Sequence, residues 1–162
     1  MSREVHQGGW VIIASFALAL ILTVVPLPDW LSAGRPQWVA LVLIYWCMAL
    51  PNRVGVGVGF LVGLIQDALL GSLLGQHALT FALLAFLTIK LHQRIRVFPL
   101  WQQAISVLVL LLLTQLVIFW INGFVGRSPV SWTYWLTAVV GTLLWPWIFG
   151  LMREIRRSFR VQ

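Results

Sequence analysis

Acidic and sulfur-bearing side chains are scarce in this chain of 162 residues. Asp and Glu together number 4, Cys occurs once, and charged residues of both signs make up 9%. The single Cys47 excludes an internal disulfide. Because three of the acids flank apolar runs (Glu4, Asp29 and Glu154), no carboxylate pair can form within a bilayer for acid–base catalysis.

Metal-ligand patterns and nucleotide or nucleophile motifs are also absent from the sequence. The three histidines, His6, His77 and His92, are scattered without HxxxH or CxxC spacing. The motifs HExxH, GxSxG and the phosphate loop do not occur. We therefore expect no enzyme activity, no cofactor and no metal site.

Apolar side chains are abundant, at 60% of the chain against about 45 to 50% in soluble domains. They are concentrated in six runs, which predict an all-α membrane protein with one polytopic domain over 1–162. Six transmembrane helices in three hairpins would be followed by a short basic tail, 153–162. The predicted spans are about 10–25, 37–50, 54–74, 77–91, 100–121 and 132–152.

The second span is the least secure of the six. Its 14 residues form only about 21 Å of helix, against an apolar bilayer core of about 30 Å. It crosses if Arg35 snorkels outward or the bilayer thins locally, and otherwise it is re-entrant.

The distribution of cations predicts the orientation. With six crossings, all Lys and Arg except Arg35 and Arg127 fall on one side. The positive-inside rule then places both termini in the cytoplasm. The net charge of +7 is accordingly a topology signal, and we expect no nucleic-acid partner.

A stripe of glycines surrounds Asp67, the one acid inside an apolar run. Steps of four from Asp67 reach Gly55, Gly59, Gly63, Gly71 and Gly75. On one helix these residues would let another helix approach closely. The stripe either packs the protein's own helices or receives a partner's helix, and both readings stay open. An Asp at the bilayer centre costs about 2.5 to 3.5 kcal/mol, so Asp67 either has a function or bonds a neighbouring helix.

Three other polar or aromatic features each have two interpretations. The amide of Gln115 either donates to a neighbouring helix, such as the one bearing Asp67, or satisfies itself on nearby backbone. Trp145 and Trp147 fit an interface belt better than a ligand box. Four arginines of the tail share one helix face, which favours anionic lipid over a cytoplasmic protein partner: Arg153, Arg156, Arg157 and Arg160.

Four blocks of this sequence, 35–46, 49–75, 100–104 and 143–159, together resemble the MreD family of rod-shape-determining membrane proteins from Gram-negative bacteria. The region around 123–135 matches that family poorly. The resemblance implies a non-catalytic scaffold or regulator of cell elongation in the inner membrane, needed for rod shape and lateral peptidoglycan synthesis. It also implies binding to the membrane helix of MreC, alongside MreB, RodA and the elongation penicillin-binding transpeptidase. The resemblance further implies a fold like that of the six-helix substrate-binding components of energy-coupling-factor transporters.

The alternative function is a small-molecule-binding component of a vitamin-type transporter. It requires a cavity that opens outward between aromatic and polar side chains, for which Trp30, Trp132 and Tyr134 are candidates. The sequence places no dense polar cluster on that side, which disfavours this alternative.

Overall fold

The computed structural model describes residues 9–26, 28, 35–71, 74–126 and 132–159. These residues form an all-α fold of six helices. They are α1 (Gly9–Val24), α2 (Trp38–Ala49), α3 (Val56–Leu70), α4 (Gln76–Val97), α5 (Leu100–Val125) and α6 (Trp132–Ser158).

Three segments of the described residues are long and apolar enough to cross a membrane: Gln76–Val97, Leu100–Val125 and Tyr134–Ser158. The other three helices are apolar but shorter. The chain is therefore a multi-pass membrane protein. Helix α3 ends at Leu70, before the predicted limit of 74, because Gly71 adopts a left-handed conformation there. Helix α4 continues to Val97, beyond the predicted limit of 91.

Helix α2 is the centre of the bundle. Every side chain from Val39 to Met48 is buried, and α2 packs against α1, α4, α5 and α6. A helix that is apolar on all sides suits such a position, because every side meets protein. The sequence marks α2 as the weakest span because of its length, yet it is the most enclosed helix of the fold.

Contacts between the helices distinguish two ends of the bundle. At one end the ring of Trp10 in α1 lies 5.0 Å from that of Phe159, just after α6. All Lys and Arg of the described residues except Arg35 lie toward this end, which we call the basic end. At the other end, which we call the opposite end, Gln76 of α4 donates a hydrogen bond to Asn122 of α5 at 3.2 Å.

The two tryptophans of α6 have different surroundings. Trp147 is 72% exposed at the bundle surface. Trp145 is fully buried, and its indole N–H donates to the side-chain oxygen of Gln103 on α5 at 3.1 Å. The prediction of an interface belt is therefore wrong for Trp145, because a buried indole needs an acceptor and α5 supplies one.

Candidate functional site

The glycines of α3 lie against the backbone of α4. A Cβ atom added at Gly63 would lie 2.5 Å from the Cα and N atoms of Ala78. One added at Gly59 would lie 2.7 Å from the carbonyl oxygen of Phe81. At Gly55 the nearest atom is a side-chain carbon of α4, at 3.6 Å. Helix α4 therefore fills this stretch of the stripe from within the same chain.

Gly71 and Gly75 lie outside α3, although the four-residue spacing includes them in the stripe. Gly71 ends α3 with a φ of 65°, and Gly75 precedes α4 with a φ of 100°. Both angles are in the left-handed region, where glycine is favoured because it has no Cβ. These two glycines belong to the connection between α3 and α4, so only Gly59 and Gly63 lie within α3 alongside Asp67, and Gly55 directly precedes the helix.

The Asp67 carboxylate caps the first turn of α4. It accepts backbone N–H bonds from Gly75 at 2.9 Å, from His77 at 3.0 Å and from Ala78 at 3.4 Å. The ring Nδ1 of His77 also lies 2.7 Å from the carboxylate. The first N–H groups of a helix have no partner within it, and the helix dipole favours a negative charge there. Asp67 therefore lies near the end of α3, where its hydrogen bonds join α3 to α4. We call these bonds the α3–α4 lock.

A cavity of about 320 Å³ opens at the opposite end of the bundle; its lining is largely apolar but includes several polar side chains. Side chains from different elements line it, among them Arg35, Gln66, His77, Gln115 and Tyr134. The side-chain oxygens of Gln66 and Gln115 are buried and have no hydrogen-bond partner among the described residues. Arg35 donates to the carbonyl oxygens of Thr23 and Val25, at the end of α1. Sequence reasoning missed this cluster; the signal available was the placement of Gln66 and Gln115 within apolar runs.

Gln115 holds α5 to α6. Its amide nitrogen donates to the carbonyl oxygen of Tyr134 at 2.8 Å and to the hydroxyl of Thr137. The Tyr134 hydroxyl donates in return to the carbonyl oxygen of Gln115 at 3.0 Å. Gln115 thus bonds a neighbouring helix, and that helix is α6 rather than the one bearing Asp67. Tyr134 lines the cavity as the vitamin-type alternative requires, whereas Trp30 and the side chain of Trp132 lie outside the described residues.

The described arginines of the tail differ in their surroundings. Arg153 and Arg156 line a second cavity, at the basic end, together with Arg96 of α4. Arg157 is exposed and is not part of this lining. Arg160 lies outside the described residues.

Groups suited to metal binding do not cluster in the part of the chain that the structure describes. No set of three or more His, Cys, Asp or Glu side chains is placed to hold an ion there. The thiol of Cys47 is free and lies in the buried core of α2. Asp67, Gln76, Gln103 and Gln115 join helices to one another, whereas most of the described Ser and Thr hydroxyls bond within their own helix.

Comparison with known proteins identifies the family. The family model for rod shape-determining protein MreD matches residues 5–155. The chain is 37% identical over 150 residues to the rod shape-determining protein MreD of Haemophilus influenzae, and the match covers 93% of each protein. No solved structure matches the chain, so the expected likeness to energy-coupling-factor components has no support from a structure. The two matches show that this chain belongs to the MreD family of rod shape-determining membrane proteins.

Proposed function

We propose that this protein is a non-catalytic scaffold or regulator of the cell-elongation complex, needed for rod shape and lateral peptidoglycan synthesis. The observation that carries the proposal is the match to a rod shape-determining relative over 93% of both chains. A match of that extent covers all six helices, so it is not confined to one module.

The use of the interior polar groups supports a structural role. Asp67 joins α3 to α4, and Gln115 joins α5 to α6. Gln103 accepts a bond from Trp145 of α6 and donates to the carbonyl oxygen of Ile95 at 3.2 Å. Side chains engaged in this way fix the positions of helices, as expected for a protein that presents surfaces to partners.

The proposed topology has six crossings in three hairpins, with both termini in the cytoplasm of the inner membrane. The cation asymmetry between the basic and opposite ends supports it. Because native Cys47 is buried, single cysteines added at exposed sites give a clean test. A membrane-impermeant maleimide should label Gly123→Cys from outside the inner membrane, and Asn52→Cys only after the membrane is opened. The reverse pattern contradicts the orientation, and labelling of both from outside contradicts the crossing number.

Partner binding involves a surface other than the glycine stripe in this proposal. Helix α4 occupies the stripe, which favours internal packing of Gly59 and Gly63. An apolar groove of about 300 Å³ lies between α1 and α6, and Leu18, Leu22 and Leu151 are exposed along it. We assign this groove to the membrane helix of MreC, since the groove and that helix would both face the lipid. MreB, RodA and the elongation transpeptidase belong to the same complex.

Disulfide crosslinking in cells tests the assignment of the groove. Leu18→Cys should crosslink to cysteines placed along the membrane helix of MreC. Gly57→Cys lies on the exposed face of α3 and serves as the matched control. Crosslinks at position 57 and none at position 18 would refute the groove assignment.

Depletion of the protein in its rod-shaped host tests the function itself. We expect rounding of the cells, reversed when wild-type protein is supplied. Supplying Asp67→Asn in parallel reports whether the α3–α4 lock needs the charge or only a hydrogen-bond acceptor. Unchanged rods after verified depletion would refute the role in elongation.

A second candidate function is small-molecule binding of the vitamin-transporter kind. The observation that favours it is the cavity at the opposite end, where Gln66 and Gln115 present unpartnered acceptors and Arg35 also lines the space. It predicts a small molecule that copurifies with wild-type protein and is lost from Gln66→Leu. It also predicts that depleted cells remain rods, which separates the two functions.

A further inference from the structure

Three arginines from two helices converge at the basic end of the bundle. Arg96 belongs to the last turn of α4, and Arg153 and Arg156 lie near the end of α6. All three line one cavity of about 300 Å³, and no acidic side chain of the described residues lines it. Three like charges around one space repel each other, so an anion held between them would stabilise the arrangement.

Beyond its charged opening, the cavity is lined by both apolar and polar side chains. Tyr45 of α2 and Gln103 of α5 line it and are almost fully buried. Arg96 and Arg153 are exposed, whereas Arg156 is partly buried and its charge interacts with the Tyr45 hydroxyl. The site is therefore built from four helices, and the buried Tyr45 lies beside one of its cations.

We propose that this cavity is a binding site for a phosphate group, held by Arg96, Arg153 and Arg156. A guanidinium presents a planar fork of donors that matches two oxygens of a phosphate. The helices end at this level, where the headgroups of a bilayer begin. The phosphate can therefore come from an anionic phospholipid headgroup or from a soluble phosphate compound, and the chemistry of recognition is the same.

The chain supplies matched controls for this site. Arg94 lies on α4 two residues before Arg96, and Arg157 lies on α6 directly after Arg156; both are exposed and outside the cavity lining. Substitution of Arg by Gln removes the same charge at every position. A difference between cavity and control variants therefore reports the site, and equal effects report only general attraction to anions.

The experiment measures thermal unfolding of the purified full-length protein in detergent. One arm compares micelles with phosphatidylglycerol against micelles with phosphatidylcholine. The other arm compares sodium phosphate with sodium chloride at equal ionic strength. Titration of each anion gives an apparent affinity, independent of how the protein is oriented in a cell.

We expect wild type and the two control variants, Arg94→Gln and Arg157→Gln, to be stabilised alike. Arg153→Gln and Arg96→Gln should bind about tenfold more weakly, since each loses a charge-assisted bond. Arg153→Lys keeps the charge without the fork, and it should fall between wild type and Arg153→Gln. Stabilisation by phosphatidylglycerol alone assigns the site to a headgroup, and stabilisation by free phosphate alone assigns it to a soluble compound.

Two results would overturn the proposal. One is the absence of stabilisation by either anion in the wild-type protein. The other is an equal loss of affinity in the cavity and control variants, which would mean that the anion samples the whole basic end without a defined site.

Discussion

Replacing Gly63 by Ala tests how α3 and α4 are held together. The added methyl group would lie 2.5 Å from three atoms of the α4 backbone, belonging to His77 and Ala78. Backbone atoms cannot rotate away as a flexible side chain can, so the two helices must separate. A gap of about 1 Å forfeits a quarter to a half of the attraction between facing atoms. We expect a loss of about 3 kcal/mol, the upper part of the range for overpacked sites.

The same movement also disturbs the lock made by Asp67. His77 and Ala78, which the new methyl group would push, are donors to the Asp67 carboxylate at 3.0 and 3.4 Å. Hydrogen bonds weaken steeply beyond such distances. The packing and capping contributions therefore fail together, and their effects in a double variant, Gly63→Ala with Asp67→Asn, should be less than additive.

Gly57 and Gly59 give the control and the graded case on the same helix. An Ala at Gly57 meets no atom within 4 Å, and it should leave stability unchanged or raise it by up to about 1 kcal/mol through helix propensity. An Ala at Gly59 would approach the Phe81 carbonyl oxygen at 2.7 Å, so we expect an intermediate loss. In thermal unfolding of purified protein, Gly63→Ala should lower the midpoint by roughly 6 to 12 °C. A midpoint equal to that of Gly57→Ala would refute the close approach of α3 and α4.

Three further sets of hydrogen bonds are tested by the same unfolding midpoint. Asp67→Leu leaves the N–H donors at the start of α4 without an acceptor and should cost about 3 kcal/mol of unfolding free energy. Asp67→Asn keeps one acceptor oxygen and should cost less. Equal midpoints for the two variants would contradict the capping role. Trp145→Phe removes the donor to Gln103 and should cost about 1 to 3 kcal/mol, against less than about 0.5 kcal/mol for the exposed Trp147→Phe; the reverse order would refute the buried bond. Gln115→Leu removes the bonds between α5 and α6 and should cost about 2 kcal/mol; an unchanged midpoint would mean that these bonds contribute nothing.

The glycine spacing illustrates what a sequence pattern can and cannot predict. Steps of four single out Gly59 and Gly63, and at both of them α4 approaches α3 closely. The same steps also include Gly71 and Gly75, which terminate and precede helices instead. Glycine permits close packing and left-handed backbone equally well, so spacing alone does not separate the two uses. Which of the two uses a glycine has depends on where α3 ends and the connection to α4 begins. The spacing around Asp67 does not carry that information.

The cavity at the opposite end shows a second limit. Its polar lining residues are far apart in the chain, so no local spacing links Arg35 or Gln66 to Gln115. Helix α2 shows a third limit, because length predicts a weak span only for a helix that faces lipid. Neighbouring helices surround α2 in place of lipid, and this arrangement depends on the tertiary fold.

The two cavities lie on either side of a packed apolar segment of α2. Helices α2, α4, α5 and α6 line both of them, one at each end of the bundle. Along α2, the residues between the cavities include Leu41, Leu43 and Ile44, which are fully buried and aliphatic. These three side chains offer no hydrogen-bonding group to a polar solute. The packed middle of α2 therefore holds the two cavities apart.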